Sequence, residues 1–177
     1  MKEIKLSNAI KIKVFNSDDY TKNNKQINDY LNAIIKEYNS AIASDYIDNL
    51  NGDIFLQNKK VFIYVLFNLS QPISFALFSK TSNTCVSLDL MYTAYDYTKL
   101  GFATILVRVS AINLKENNIQ KFFCKTDENN LILQNLLNSF ARVEMVKFSK
   151  ADNQCSFDIQ NINGNDILDK IKQFIIK

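Results

Sequence analysis

The chain has 177 residues, 47% of them apolar and 22% charged, with a net charge of +3. That length can bury a sizeable core as one domain, and so small and scattered a positive charge argues against a nucleic-acid surface. Histidine is absent, which excludes His general bases, Ser/His and Cys/His nucleophilic pairs and His metal ligands. In chain order, Lys11 to Phe15 alternates Lys/Ile/Lys/Val and predicts a first strand. Asn16-Ser17-Asp18-Asp19 is a turn and helix-cap cluster. The helix after it carries Ile27, Tyr30, Leu31, Ile34, Ile35 and Tyr38 in one amphipathic stripe. A second, poorer helix is expected from Ser40 to Leu50, broken by Asn51-Gly52-Asp53.

Three extended runs follow, Val61 to Phe67, Ile73 to Phe78 and Cys85 to Thr93. Their short polar links predict an antiparallel meander. An apolar helix then runs to about Asn117-Asn118, and Lys121 to Lys125 reads as a short strand. Strand, helix, strand in that order is a crossover, so this strand should lie parallel to Cys85–Thr93. A helix carrying Leu131, Leu133, Leu136, Leu137 and Phe140 comes next, then strands Val143 to Phe148 and Cys155 to Ile159, and a last helix from Asp166 to Ile176. The order describes an α/β fold with a mixed, mostly antiparallel central sheet and helices on both faces.

The segment Thr98-Lys99-Leu100-Gly101-Phe102-Ala103-Thr104 stands between an extended run and an apolar helix. A helix that starts there presents unpaired backbone N–H groups and the positive end of its dipole, which together attract an anion. Gly101 is one of only three glycines, with Gly52 and Gly164. Lacking a Cβ, it lets backbone approach a ligand closely.

The three cysteines, Cys85, Cys124 and Cys155, have neither metal-ligand spacing nor a CxxC motif, so no metal is expected. Their sparse, odd count, with no apolar signal segment in Met1-Lys2-Glu3-Ile4-Lys5, suggests a reducing, cytoplasmic setting. The longest apolar run, Val61 to Phe67, is far shorter than the roughly 18 residues of a membrane span, so none is expected.

From about Lys11 to Phe157 this order resembles the GCN5-related N-acetyltransferase (GNAT) superfamily, most closely from Cys85 to Phe140. The family's acetyl-CoA signature is Arg/Gln-x-x-Gly-x-Gly/Ala. Thr98-Lys99-Leu100-Gly101-Phe102-Ala103 keeps the Gly and the Ala but has Thr first. Asn130, Leu133 and Leu136 resemble the family's Asn-x-x-Ala-x-x-Leu-Tyr helix, with Leu137 at the tyrosine position. The resemblance implies one acyl-CoA N-acyltransferase-like domain over 1–177, with a core at about 11–160 and a C-terminal helix at about 164–177. It implies acetyl-CoA as cosubstrate, with the backbone amides of Leu100, Gly101, Phe102, Ala103 and Thr104 on the pyrophosphate. Met91 and Thr93 would pair with the pantetheine arm like an added strand, Thr98 and Lys99 would border the phosphates, and Asn130 would lie near the thiol. Strands Cys85–Thr93 and Lys121–Lys125 would splay to admit that arm. For Lys99 a solvated surface charge is the commoner reading.

Acetyl transfer to an amine needs a neutral amine, a polarised thioester and a reprotonated thiolate. Asp89, in the apolar strand Val86-Ser87-Leu88-Asp89-Leu90, is the expected base. Period two places Ser87, Asp89, Met91 and Thr93 on one face and Leu88, Leu90 and Tyr92 on the other. The competing reading is a solvent-facing Asp, and Asp96 and Glu128 are weaker candidates on loops. Leu137 cannot donate a proton. Tyr92, Tyr95 and Tyr97 lie near the turn but also suit packing, and Cys124, with no His partner, reads as a small buried hydrophobe. Tyr38, Tyr46 and Phe55 would line the acceptor side or pack helices. The expected partners are acetyl-CoA and an amine acceptor, with homodimerisation left open. The alternative is a catalytically silent acetyl-CoA-binding or protein-interaction domain of the same fold.

Overall fold

A computed structural model describes residues 1–35, 60–125, 131–144, 147–151 and 154–175. Among these residues eight strands form one sheet: β1 (Lys2–Lys5), β2 (Ile10–Asn16), β3 (Val61–Asn68), β4 (Gln71–Lys80), β5 (Cys85–Thr93), β6 (Lys121–Lys125), β7 (Lys147–Ala151) and β8 (Gln154–Asp158). Their spatial order is β1-β2-β3-β4-β5-β6-β8-β7. Every neighbouring pair is antiparallel except β5–β6, the parallel pair expected of the crossover. The expected second helix, its Asn51-Gly52-Asp53 break, Tyr38, Tyr46 and Phe55 lie outside the described residues.

Among the described residues four helices cover the sheet: α1 (Ser17–Ile35), α2 (Phe102–Glu116), α3 (Leu131–Val143) and α4 (Gly164–Ile175). Helix α1 starts on a reciprocal cap. Asp19 N–H donates to Asn16 Oδ1 at 2.9 Å, and Asn16 N–H donates to Asp19 Oδ2 at 3.2 Å. It bends at Asn23, whose φ of −130° is not helical and whose side-chain amide donates to the Asp19 carbonyl. Such local side-chain bonds compete with the helical ladder. Past the bend Ile27, Leu31 and Ile34 are fully buried against Phe15, Val65, Phe75 and Leu77. Helices α2, α3 and α4 cover the opposite face, where Ile105, Leu106, Val109, Phe140 and Ile171 meet Tyr64, Ala76, Phe78, Phe122 and Phe157. Phe122 and Phe157 stack at 4.6 Å between ring centroids, directly opposite each other on β6 and β8.

Three boundaries depart from the periodicity. Strand β1 was not expected, because Lys2-Glu3-Ile4-Lys5 offers one apolar residue. It is an edge strand held by its register with β2 and by Lys2 Nζ on Glu116 Oε2 at 2.7 Å. Helix α3 continues to Val143, so β7 occupies 147–151 rather than the expected Val143–Phe148. Helix α4 begins two residues before the expected Asp166, where the Asn163 side chain accepts from Asp166 N–H at 3.3 Å.

Candidate functional site

Strand β5 has a kink in its register. Leu77 pairs with Leu90 and Phe78 pairs with Leu88, so Asp89 is the extra residue of a β-bulge. The bulge reverses the face of every residue after it. Val86 and Leu88 sit in the core under α2–α4, and Met91 packs against that same core. Leu90 and Tyr92 pack against the core under α1. The strict alternation expected from the sequence is therefore wrong: Leu88 and Leu90 lie on opposite faces. A period of two holds only while the ladder is regular, and one inserted residue shifts it by one.

The bulge also marks where the sheet opens. Strand β6 pairs with β5 only from Cys85↔Lys121 to Leu88↔Cys124, while β5 runs on to Thr93. Beyond Leu88 the β6-side edge of β5 borders a cleft of about 720 Å³. Its walls include Asp89, Met91 and Thr93 of β5, Cys124 and Lys125 of β6, and Leu133 and Leu136 of α3. Asp89 is half-buried, and its Oδ2 is fully covered with no hydrogen-bond partner among the described residues. A carboxylate oxygen without a donor is costly to bury, and it keeps its lone pairs available. On the far side of β5, Ser74 Oγ lies 2.8 Å from both the Tyr92 carbonyl and Thr93 Oγ1 and so braces the end of the strand.

The other end of the cleft is the expected turn. Ala94 N–H donates to the Ile73 carbonyl, and one 3₁₀ turn, Tyr95–Tyr97, redirects the chain. Thr98 Oγ1 donates to the Tyr95 carbonyl at 2.8 Å, so its hydroxyl closes this turn. Lys99, exposed at φ 63°, and Gly101, at φ 84°, then take left-handed conformations. Gly101 is the N-cap of α2 and provides no side-chain cap. The first helical bond runs from Ile105 N–H to the Gly101 carbonyl at 3.0 Å. The amides of Phe102, Ala103 and Thr104 precede it and have no upstream helical carbonyl to accept them. Thr98, Lys99, Gly101, Phe102, Ala103 and Thr104 all line the cleft, and Leu100 is exposed beside it. The space left by the missing side chain of Gly101, expected to admit a ligand, is filled by protein. A Cβ there would lie 3.2 Å from the ring of Phe174 in α4.

Among the remaining candidates, Asp96 is exposed and does not line the cleft, while Glu128 and Asn130 lie outside the described residues. Leu137 is fully buried in the core, and α3 turns Leu133 and Leu136 to the cleft instead. Burial, with Cys155 and Asp89 adding to it, pushes the Cys124 thiol up to about 12, which leaves almost no thiolate near neutral pH. Cys124 is thus the small buried hydrophobe that the missing histidine suggested. Tyr97 lines the cleft with its hydroxyl donated to Gln71 Oε1 at 3.1 Å and its ring edge-on to Phe102. Sequence reasoning missed the bulge, Lys125 as a wall residue and Phe174. Only strand pairing and helix packing bring these to one place.

No helix among the described residues is long and apolar enough to cross a membrane. No family model matches the sequence, and no curated protein does. Solved structures do resemble the fold. RimL, a ribosomal-protein α-N-acetyltransferase in complex with coenzyme A, matches at a TM-score of 0.60 and 11% identity, over 90% of this chain and 99% of its own. The ribosomal-protein alanine N-acetyltransferase of Escherichia coli matches at 0.57 and 11%, over 88% and 97%. The PaiA N-acetyltransferase of Thermoplasma acidophilum, in complex with coenzyme A, matches at 0.53 and 14%, over 84% and 97%. The fold is that of the GNAT acetyltransferases, as the sequence resemblance implied.

Proposed function

We propose that the chain is an N-acetyltransferase that moves an acetyl group from acetyl-CoA to an amine of a small molecule or a protein by direct attack. The observation that carries this reading is a single cleft running from an unpaired carboxylate at a β-bulge, along an open strand edge, to a helix start with three uncommitted amides. Acetyl-CoA supplies a thioester whose carbonyl carbon an amine can attack.

The amides of Leu100 to Thr104 would hold the pyrophosphate, with Lys99 adding charge beside it. The main chain of Met91 and Thr93 would pair with the pantetheine arm as an extra strand, and Asn130 would lie near its thiol end. Leu133 and Leu136 keep water from the thioester. The Asp89 carboxylate takes the amine proton, directly or through water, as the C–N bond forms and the C–S bond breaks. The pair released with sulfur is a thiolate whose conjugate acid resembles an ordinary thiol, about 8.5, so it leaves tolerably near neutral pH.

A second reading, a silent acetyl-CoA-binding domain, is favoured by one feature. Among the described residues, helix α3 lends only Leu133 and Leu136 to the cleft walls, and neither can protonate the thiolate. Two measurements separate the readings. Acetyl-CoA at 100 times Kd should stabilise the fold by about 2.7 kcal/mol, a rise of roughly 5–10 °C in Tm. Mass spectrometry should find acetylated product with some member of an amine panel. No shift at millimolar acetyl-CoA overturns both readings. A shift with no product from any amine leaves the silent domain.

A further inference from the structure

Helix α4 brings one aromatic ring to the turn that acetyl transfer itself does not use. The helix buries Ile167 and Ile171, and Ile175 packs partly buried beside them. Phe174, three residues after Ile171 and seven after Ile167, continues that stripe at the end of the helix. It is 59% exposed, yet its ring edge rests on Gly101, 3.2 and 3.3 Å from where a Cβ would stand. An exposed phenyl forgoes the gain that burial would bring, and clustered exposed apolar groups mark binding surfaces. Five large apolar side chains are exposed among the described residues. Three of them, Tyr95, Leu100 and Phe174, flank this one turn.

Resting on the acetyl-CoA reading above, we propose that Phe174 is the platform on which the adenine base of acetyl-CoA stacks. The pyrophosphate joins the pantetheine arm to the adenosine. If the amides at the start of α2 hold it, the nucleotide leaves the cleft at the turn that Phe174 overhangs. A purine is flat and polarisable, and its π-face stacks on a phenyl ring with no need for charge matching. Gly101 then has a second task beside its left-handed backbone, since a side chain there would push the ring off the turn.

The test compares acetyl-CoA with 4′-phosphopantetheine, which has the arm and one phosphate but no adenosine. In Phe174→Ala, acetyl-CoA should bind roughly 5- to 100-fold more weakly, the range expected when an aromatic partner of a base is truncated. Binding of 4′-phosphopantetheine should not change. Phe174→Tyr should keep most of the affinity, whereas Phe174→Leu should not. The chain has no tryptophan, so Phe174→Trp places a sole indole at this position. Its emission should be quenched by CoA and not by 4′-phosphopantetheine. Equal loss for both ligands, no loss for either, or tighter binding of both, as when a plug is removed, would each overturn the platform. A wild-type protein that binds both ligands equally well would also overturn it and leave the acetyl-CoA reading standing. A wild-type protein that binds neither overturns that reading and the platform with it.

Discussion

The two ends of the cleft are made of different material. Around Gly101 the polar groups are main-chain amides at a helix start, set by two left-handed residues. At the bulge the polarity comes from one side chain, Asp89, on a residue that the β4 ladder leaves unpaired. An end built from backbone tolerates side-chain changes, because every residue but proline has the same N–H. Thr98, for example, spends its hydroxyl on the Tyr95 carbonyl. An end built from one carboxyl has no such reserve.

Substitutions at the two ends should therefore fail in opposite ways. The largest effect is expected from Asp89→Asn, which should lower kcat by about 10²- to 10⁴-fold, the range of general base catalysis. Its acetyl-CoA thermal shift should stay intact. The wild-type rate should rise with pH through one ionisation and show no alkaline fall, and Tyr97→Phe should leave that profile unchanged. An alkaline limb that vanishes in Tyr97→Phe would make Tyr97 the missing acid and break the comparison.

Next in size is Gly101→Ala. A non-glycine residue held at positive φ costs of order 1–3 kcal/mol, and here it also meets Phe174 at 3.2 Å. Stability should fall, and acetyl-CoA binding with it. Adding Phe174→Ala removes the contact and leaves the backbone strain, so the double variant should recover stability only in part. Full recovery would mean that Gly101 matters for packing and that its left-handed conformation does not.

Lys99→Ala should be milder, a loss of a few-fold in acetyl-CoA affinity that shrinks further in high salt, because the lysine is exposed and its charge is screened. A hundredfold loss would show that the turn end relies on a side chain after all.

The smallest effect lies away from both ends. The Lys2 ammonium, and then the Asn113 amide, hold the Glu116 carboxyl below the usual carboxylate range against its partial burial. A lowered folded-state value stabilises the fold above the unfolded value, and that contribution is lost as pH falls through the folded one. Glu116→Gln should therefore lower stability slightly at neutral pH, by well under 1 kcal/mol for so exposed a pair, read as a small drop in Tm. The difference from wild type should vanish below the carboxylate range. Both ends of the cleft should work unchanged.

Much of this architecture can be read in the order of residues. The β3–β4–β5 meander, the crossover through α2 to a parallel β6 and the turn at Gly101 follow from alternation, helical period and glycine placement. Each of these depends on residues a few positions apart, where backbone geometry links sequence to conformation directly. Strand β1 was missed because pairing holds it in place, with little help from its own apolar content. The bulge at Asp89 was missed because it is a property of two strands. Nothing within Val86-Ser87-Leu88-Asp89-Leu90 says that Phe78 and Leu77 will pair with Leu88 and Leu90 across it. For the same reason the sequence nominated Asp89 yet gave Leu90 and Met91 the wrong faces. Leu137 drew attention by its motif position, whereas packing buries it and turns Leu133 and Leu136 to the cleft. Phe174 could not have been linked to Gly101 from spacing, since the two are 73 positions apart in the chain and only the packing of α4 joins them. Local sequence determined the elements and the anion-favouring turn. Tertiary structure alone decided where the sheet opens, which way each wall residue faces and what stands beside the turn, because those depend on contacts between segments that no local period encodes.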